Sequence, residues 1–197
     1  MEQKEFFLKQ HIHEYHNVLK PKTVSHLLKY INYKDSQGCF DKATIIGDGK
    51  GTQKPNTEVR DTKNMALSNL GDSQTDIHWC NFLINIFTTA FNKYLQLHPL
   101  ATINQVVDMQ VLKYEQGGHY IPHVDDHPTI PRTLSFIYRL NNDYEGGDLV
   151  WYMNNKEFHR SKTAPNSLIM WPSNFLYPHT VEPVTKGLRW SIVAWAR

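Results

Sequence analysis

The pattern of apolar and polar positions changes character near residue 104. Before it, apolar residues recur at helical spacing. Val24, Leu27, Leu28 and Ile31 fall at i, i+3, i+4 and i+7, and Pro21 stands where a helix begins. A broader apolar face runs from about Ser73 to Gln96 through Trp79, Phe82, Leu83, Ile86, Phe87, Ala90, Phe91 and Tyr94, and reads as core. Between these helices the stretch Gly47–Asn56 is glycine-rich and polar. It lacks the Gly-x4-Gly-Lys-Ser/Thr spacing of a phosphate cradle, so it reads as a mobile loop that folds over a site mouth when substrate binds.

From residue 104 onward the period is two. Short β-like runs recur at Val106–Tyr114, Thr133–Leu140, Asp148–Tyr152, Ser167–Trp171, Thr180–Val184 and Leu188–Ala196. Turn signals such as Asn141-Asn142-Asp143 and Asn154-Asn155 separate them. Many short strands after a helical half predict an α+β chain, mainly β, with helices packed outside a small antiparallel barrel or jelly roll.

Composition narrows the classes. At 197 residues, 40% hydrophobic and 20% charged, the chain is an ordinary globular one, read as a single domain with helical support over about 1–103 and a β core over about 104–197. A net charge of +2 is too mild for a nucleic-acid surface, and no run is long and apolar enough to span a membrane. Cys39 and Cys80 stand in no paired spacing, read as free thiols, and place the chain in a reducing, cytoplasmic setting.

The candidate chemistry begins at His123-Val124-Asp125. With 11 histidines in the chain one His-x-Asp pair means little by itself. In an extended segment, however, side chains at i and i+2 point the same way, so His123 and Asp125 can present two ligands to one ion. A second histidine would complete two His and one carboxylate on one face, the set that suits non-haem Fe(II) with three positions open. His179, between Leu168-Ile169-Met170-Trp171 and the run Thr180–Val184, is the candidate. The rival set His119, His123 and His127 needs a helix that Pro122, Pro128 and the double glycine forbid.

Arg189 adds an independent signal. It lies in Leu188-Arg189-Trp190-Ser191-Ile192-Val193-Ala194-Trp195-Ala196, a strand apolar on both faces and therefore buried on both. A guanidinium there carries a desolvation cost that a paired anion offsets, and no acidic residue lies near it in sequence. A ligand carboxylate, gripped bidentately, is the natural partner, and Ser191 faces the same side.

These residues resemble a known family, the 2-oxoglutarate/Fe(II) dioxygenases of the prolyl 4-hydroxylase type. The pattern Tyr-x-x-Gly-x-x-Tyr/Phe-x-x-His-x-Asp is met by Tyr114, Gly117, Tyr120, His123 and Asp125, and the distal His with a basic residue ten positions later by His179 and Arg189. Asp143-Tyr144-Glu145-Gly146-Gly147-Asp148-Leu149 and Val181-x-Pro183-Val184-x-x-Gly187 are also family-like. The resemblance covers about residues 104–196. It implies a double-stranded β-helix core, iron on His123, Asp125 and His179, the far carboxylate of 2-oxoglutarate on Arg189, and Tyr114 and Ser191 as helpers. It further implies O2 as oxidant, ascorbate as reductant, release of succinate and CO2, and a prolyl residue of a peptide or protein as substrate. For that proline Tyr120, Trp151, Tyr152, Trp171 and Tyr177 offer an aromatic wall. Arg139 departs from the pattern, standing where many relatives carry an aromatic residue that touches the cosubstrate. A peptidyl-lysine or small-molecule hydroxylase and a non-catalytic cupin-like metal module are the competing readings.

Overall fold

The computed structural model describes residues 2–46, 53–162 and 164–197. Three helices come early: α1 (Glu2–Lys9), α2 (Pro21–Ser36) and α3 (Gln74–Leu97). Pro21 opens α2, where a missing N–H costs nothing. Ser73 caps α3, its hydroxyl accepting from the Asp76 N–H at 3.3 Å. Asp76 then ties the two helices together by accepting from Tyr30 Oη at 2.8 Å and Lys34 Nζ at 2.7 Å.

The strands are β1 (His13–His16), β2 (Asp41–Lys42), β3 (Thr44–Ile46), β4 (Gln53–Pro55), β5 (Arg60–Asp61), β6 (Lys63–Ala66), β7 (Val106–Tyr114) and β8 (His119–His123). They continue with β9 (Leu134–Arg139), β10 (Tyr144–Gly146), β11 (Leu149–Met153), β12 (Lys156–Ser161), β13 (Ser167–Pro172), β14 (His179–Val181), β15 (Val184–Gly187) and β16 (Arg189–Ala196). A major antiparallel sheet runs β1-β13-β9-β16-β7-β6-β2, a minor one β12-β11-β14-β8-β5, and two two-stranded sheets, β10-β15 and β3-β4, complete the set among the described residues.

Period-two alternation divides the major sheet between two cores. Trp190, Ile192, Ala194 and Ala196 of β16 face outward with Phe136 and Tyr138 of β9, and the apolar faces of α2 and α3 cover them. Val193 and Trp195 face the other way with Ile137 and Trp171, meeting Leu149, Trp151 and Val181 of the minor sheet. Every residue of β16 and of β9 is therefore buried. Two facing antiparallel sheets with helices outside make the double-stranded β-helix core that the resemblance implied.

Several boundaries differ from the expectation. The β structure is not confined to residues after 104: β1, β2 and β6 extend the major sheet, and β5 extends the minor one. These strands have two to four residues and are largely polar, too short to show a period. The expected strand Thr180–Val184 divides into β14 and β15, because Pro183 cannot donate to a ladder. Asn154 and Asn155 both take positive φ, as the turn between β11 and β12 requires. Of the expected loop Gly47–Asn56, Gln53–Pro55 is a strand paired with Thr44–Ile46, and residues 47–52 lie outside the described residues. No helix among the described residues is long and apolar enough to cross a membrane.

Candidate active site

The minor sheet brings the three sequence-chosen ligands together. His123 ends β8, His179 begins β14, and the two are paired directly across the ladder. Asp125 follows β8 by two residues. One ligand atom from each of His123, Asp125 and His179 lies within 4.8 Å of the others. His123 Nε2 is 3.7 Å from Asp125 Oδ1, and His179 Nε2 is 3.5 Å from Asp125 Oδ2. Each imidazole is held from behind: His123 Nδ1 bonds the Ile121 carbonyl at 2.9 Å, and His179 Nδ1 the Tyr177 carbonyl at 3.0 Å. A carbonyl can only accept, so each Nδ1 carries the proton and each Nε2 lone pair is free for a metal. His119 and His127 are excluded from the set, since β8 is extended rather than helical.

The electrostatics suit a cation. Burial and the nearby His179 push His123 down to about 3, so its imidazole is neutral. Burial works to raise the Asp125 carboxyl, but the two imidazoles and Ser135 outweigh it and hold it below the usual carboxylate range. Ser135 Oγ donates to Asp125 Oδ2 at 2.7 Å and lies 2.7 Å from Ser173 Oγ. With its one proton on Asp125, Ser135 accepts from Ser173. Sequence reasoning missed this pair, although Ser135 is a polar residue facing inward on an apolar strand.

Arg189 is fully buried. Its Nη1 donates to Ser191 Oγ at 3.0 Å, and its guanidinium lies 4.9 Å from the Tyr114 ring centre. Nε and Nη2 have no partner, and no carboxylate pairs with Arg189 among the described residues. Two orphaned donors on a buried cation fit a ligand carboxylate. Gly147, at φ +66°, passes over this arginine, and a Cβ there would lie 2.9 Å from Arg189 Cδ.

Arg139 faces the same interior from the neighbouring strand, opposite Ser191. It donates to the carbonyls of Ser161 (2.9 Å) and Lys162, closing the end of β12. Burial and the adjacent Arg189 lower its pKa to about 10.

A cavity of about 400 Å³ opens at the cluster of His123, Asp125 and His179, lined among others by these three and by Tyr114, Tyr120 and Trp195. Arg189 does not line it directly; Tyr114, which does, joins the two. The expected aromatic wall is reduced: Tyr120 and Trp171 line the cavity, whereas Trp151 and Tyr177 are core and Tyr152 lies elsewhere. Trp195, Arg60 and Arg132, which sequence reasoning did not select, also line the cavity.

Residues 109–197 match the model of the 2OG-Fe(II) oxygenase superfamily. A PKHD-type hydroxylase of Idiomarina loihiensis is 34% identical over 98 residues, covering 47% of this chain and 43% of the relative. One of Aliarcobacter butzleri is 31% identical over 125 residues, covering 58% and 54%. The chain spans about half the length of the curated relatives it matches. A Trichoplax adhaerens prolyl hydroxylase, solved with a peptide fragment of the hypoxia inducible factor oxygen degradation domain, superposes with a TM-score of 0.79 at 18% identity, covering 99% of this chain and 89% of that one. A Pseudomonas putida prolyl-4-hydroxylase gives 0.73 at 18%, covering 94% and 91%. The structural likenesses show the fold, and the resemblance to 2-oxoglutarate/Fe(II) dioxygenases of the prolyl 4-hydroxylase type holds.

Proposed function

We propose that this 2-oxoglutarate/Fe(II)-dependent dioxygenase, prolyl 4-hydroxylase-like in type, hydroxylates a prolyl residue of a peptide or protein. The observation that carries the reading is Arg189: a buried guanidinium with two unpartnered donors, on the same barrel as the His123, Asp125 and His179 cluster. A metal-binding module without a carboxylate cosubstrate has no use for such a cation.

In this reading His123 Nε2, His179 Nε2 and a carboxylate oxygen of Asp125 hold Fe(II), and the other positions of the metal remain for ligands. Bound Fe(II) with 2-oxoglutarate supplies O2-dependent hydroxylation, giving succinate and CO2. The protein's own residues do the positioning. The Ile121 and Tyr177 carbonyls fix both ring orientations, and Ser135 fixes the carboxylate. Arg189 and Ser191 receive the far carboxylate of 2-oxoglutarate, with the Tyr114 ring beside them. Ile137, Val193 and Trp195 make the cavity wall apolar, which excludes water from the reacting centre.

The prolyl assignment rests on the Tyr114–Asp125 spacing, on Tyr120, Trp171 and Trp195 as a rigid aromatic lining for a rigid ring, and on the peptide held by the Trichoplax neighbour. The test incubates the protein with Fe(II), ascorbate and 2-oxoglutarate, and offers proline peptides beside free proline and lysine peptides. One added oxygen on a prolyl residue, with matching succinate, is expected. Oxidation of free proline or of lysine peptides alone would remove the prolyl substrate and leave the oxygenase.

A further inference from the structure

Two arginines that line the cavity make no ion pair with a carboxylate among the described residues. Arg60 on β5 pairs across the ladder with Tyr120 on β8. Its guanidinium lies 4.9 Å from the Tyr120 ring centre, and that ring stacks on His123 at 3.5 Å. Arg132 reaches the His123–Asp125 segment at Asp125. It lies 3.6 Å from the Trp195 ring centre and donates from Nη1 to the Asp125 carbonyl at 3.3 Å. Arg60 Nη1 similarly donates to the Thr44 carbonyl at 3.2 Å. In both arginines Nε is buried without a partner, and both line the cavity.

Apart from Arg139, which carbonyls hold, and Arg189, assigned above to the cosubstrate, the other buried or half-buried arginines and lysines of the described chain are ion-paired. Arg160 holds Asp148, Glu157 and Glu182 at 3.0, 2.7 and 2.6 Å, and Lys113 holds Asp35 at 2.8 Å. Among the described residues neither Arg60 nor Arg132 has a carboxylate within ion-pair distance. Asp125 and Asp108 act on Arg132 through space, and Asp126 accepts from its backbone N–H rather than its guanidinium. Aromatic stacking fixes a guanidinium and strips water from its face, but leaves its edge donors free. Both line one cavity and the two cations act on one another through space, so an anion docked there would offset their repulsion.

We propose that the substrate carries a carboxylate that docks on Arg60 and Arg132, namely an Asp or Glu side chain close in sequence to the target proline. This rests on the prolyl-peptide reading and adds a charge requirement to it. An acidic neighbour would anchor the chain across the rim while the proline ring enters the aromatic cavity.

The experiment uses three fluorescein-labelled peptides, identical except for Asp, Asn or Lys beside the proline. Binding is measured by anisotropy with Fe(II) and 2-oxoglutarate present under nitrogen, and oxygen addition by mass spectrometry in air. One partly buried charge pair amounts to about a tenfold preference for Asp over Asn. That preference should shrink as salt rises, and Lys should bind most weakly. Arg60→Gln and Arg132→Gln should each bring the Asp-to-Asn ratio toward one, and Arg60→Lys should restore part of it. If Arg132→Gln fails to fold for want of its Trp195 contact, the Arg60 pair and the salt dependence decide. Equal binding of Asp and Asn peptides at low salt, or a ratio unmoved by Arg60→Gln, would overturn the proposal. The two readings separate cleanly, since binding preference reports the anion receptor and oxygen addition reports the prolyl chemistry.

Discussion

Ser135 Oγ donates to Asp125 Oδ2 at 2.7 Å, from a strand of the major sheet to a loop at the edge of the minor one. That bond leaves Asp125 Oδ1 turned toward His123 and fixes the carboxylate before any metal arrives. Ser135→Ala should leave the fold intact and weaken Fe(II) affinity by about 10- to 100-fold, the usual cost of losing an outer partner of a metal ligand. Anaerobic calorimetry with Fe(II) measures it. Unchanged affinity would mean that the two imidazoles position Asp125 without help.

Arg189→Ala should weaken 2-oxoglutarate binding by about 2–5 kcal/mol, as expected when one partner of a buried charge pair is truncated. Arg189→Lys should cost less, because a point charge remains, but more than nothing, because the bidentate fork is lost. Calorimetry with 2-oxoglutarate reads both. Normal binding by Arg189→Ala would move the carboxylate role elsewhere.

How far these residues were legible in the sequence follows from what each signal depends on. β16 was plain because its two faces are both apolar, so a single arginine inside it stood out. His123, Asp125 and His179 were chosen as candidates through spacing and family resemblance, and the ladder pairing of His123 with His179 explains why residues 56 positions apart meet. Arg60 and Arg132 carried no local signal. Their placement depends on rings donated by Tyr120 and Trp195, contacts that exist in space alone. β5 and β6 were missed because strands of two and four largely polar residues are held by register with β8 and β7, not by a pattern of their own. Ser135 could have been flagged, since it shares the inward parity of Arg139 on an otherwise apolar strand.

Gly147→Ala should harm both fold and cosubstrate site. The added Cβ would meet Arg189 Cδ at 2.9 Å, on backbone whose φ of +66° already disfavours a side chain. A stability loss of about 1–3 kcal/mol by urea denaturation is expected from the backbone strain. Weaker 2-oxoglutarate binding should accompany it as Arg189 shifts. Wild-type stability and binding together would show that the loop relaxes freely.

Asp76 links α2 to α3, and its acid behaviour follows from its partners. Burial alone would raise its carboxyl, but bonds from Lys34, Tyr30 and Ser73 outweigh that and hold it below the usual value of 3.8. A carboxyl whose folded pKa lies below its unfolded one contributes stability that is full above the unfolded pKa. It is lost as pH falls through the folded pKa. Asp76→Asn should therefore lower the thermal midpoint at neutral pH and flatten the loss of stability below about pH 4. Parallel acid limbs in variant and wild type would place the acid sensitivity in other carboxylates.

The iron assignment is tested most directly by succinate release from 2-oxoglutarate in wild type and Asp125→Ala, with bound metal counted in the same samples. Wild type should bind about one Fe(II) per chain and release succinate in step with oxygenated peptide. Asp125→Ala should fold, lose most of its metal and release none. An Asp125→Ala protein that keeps its iron and turns over at the wild-type rate would contradict the assignment of His123, Asp125 and His179 as the metal centre.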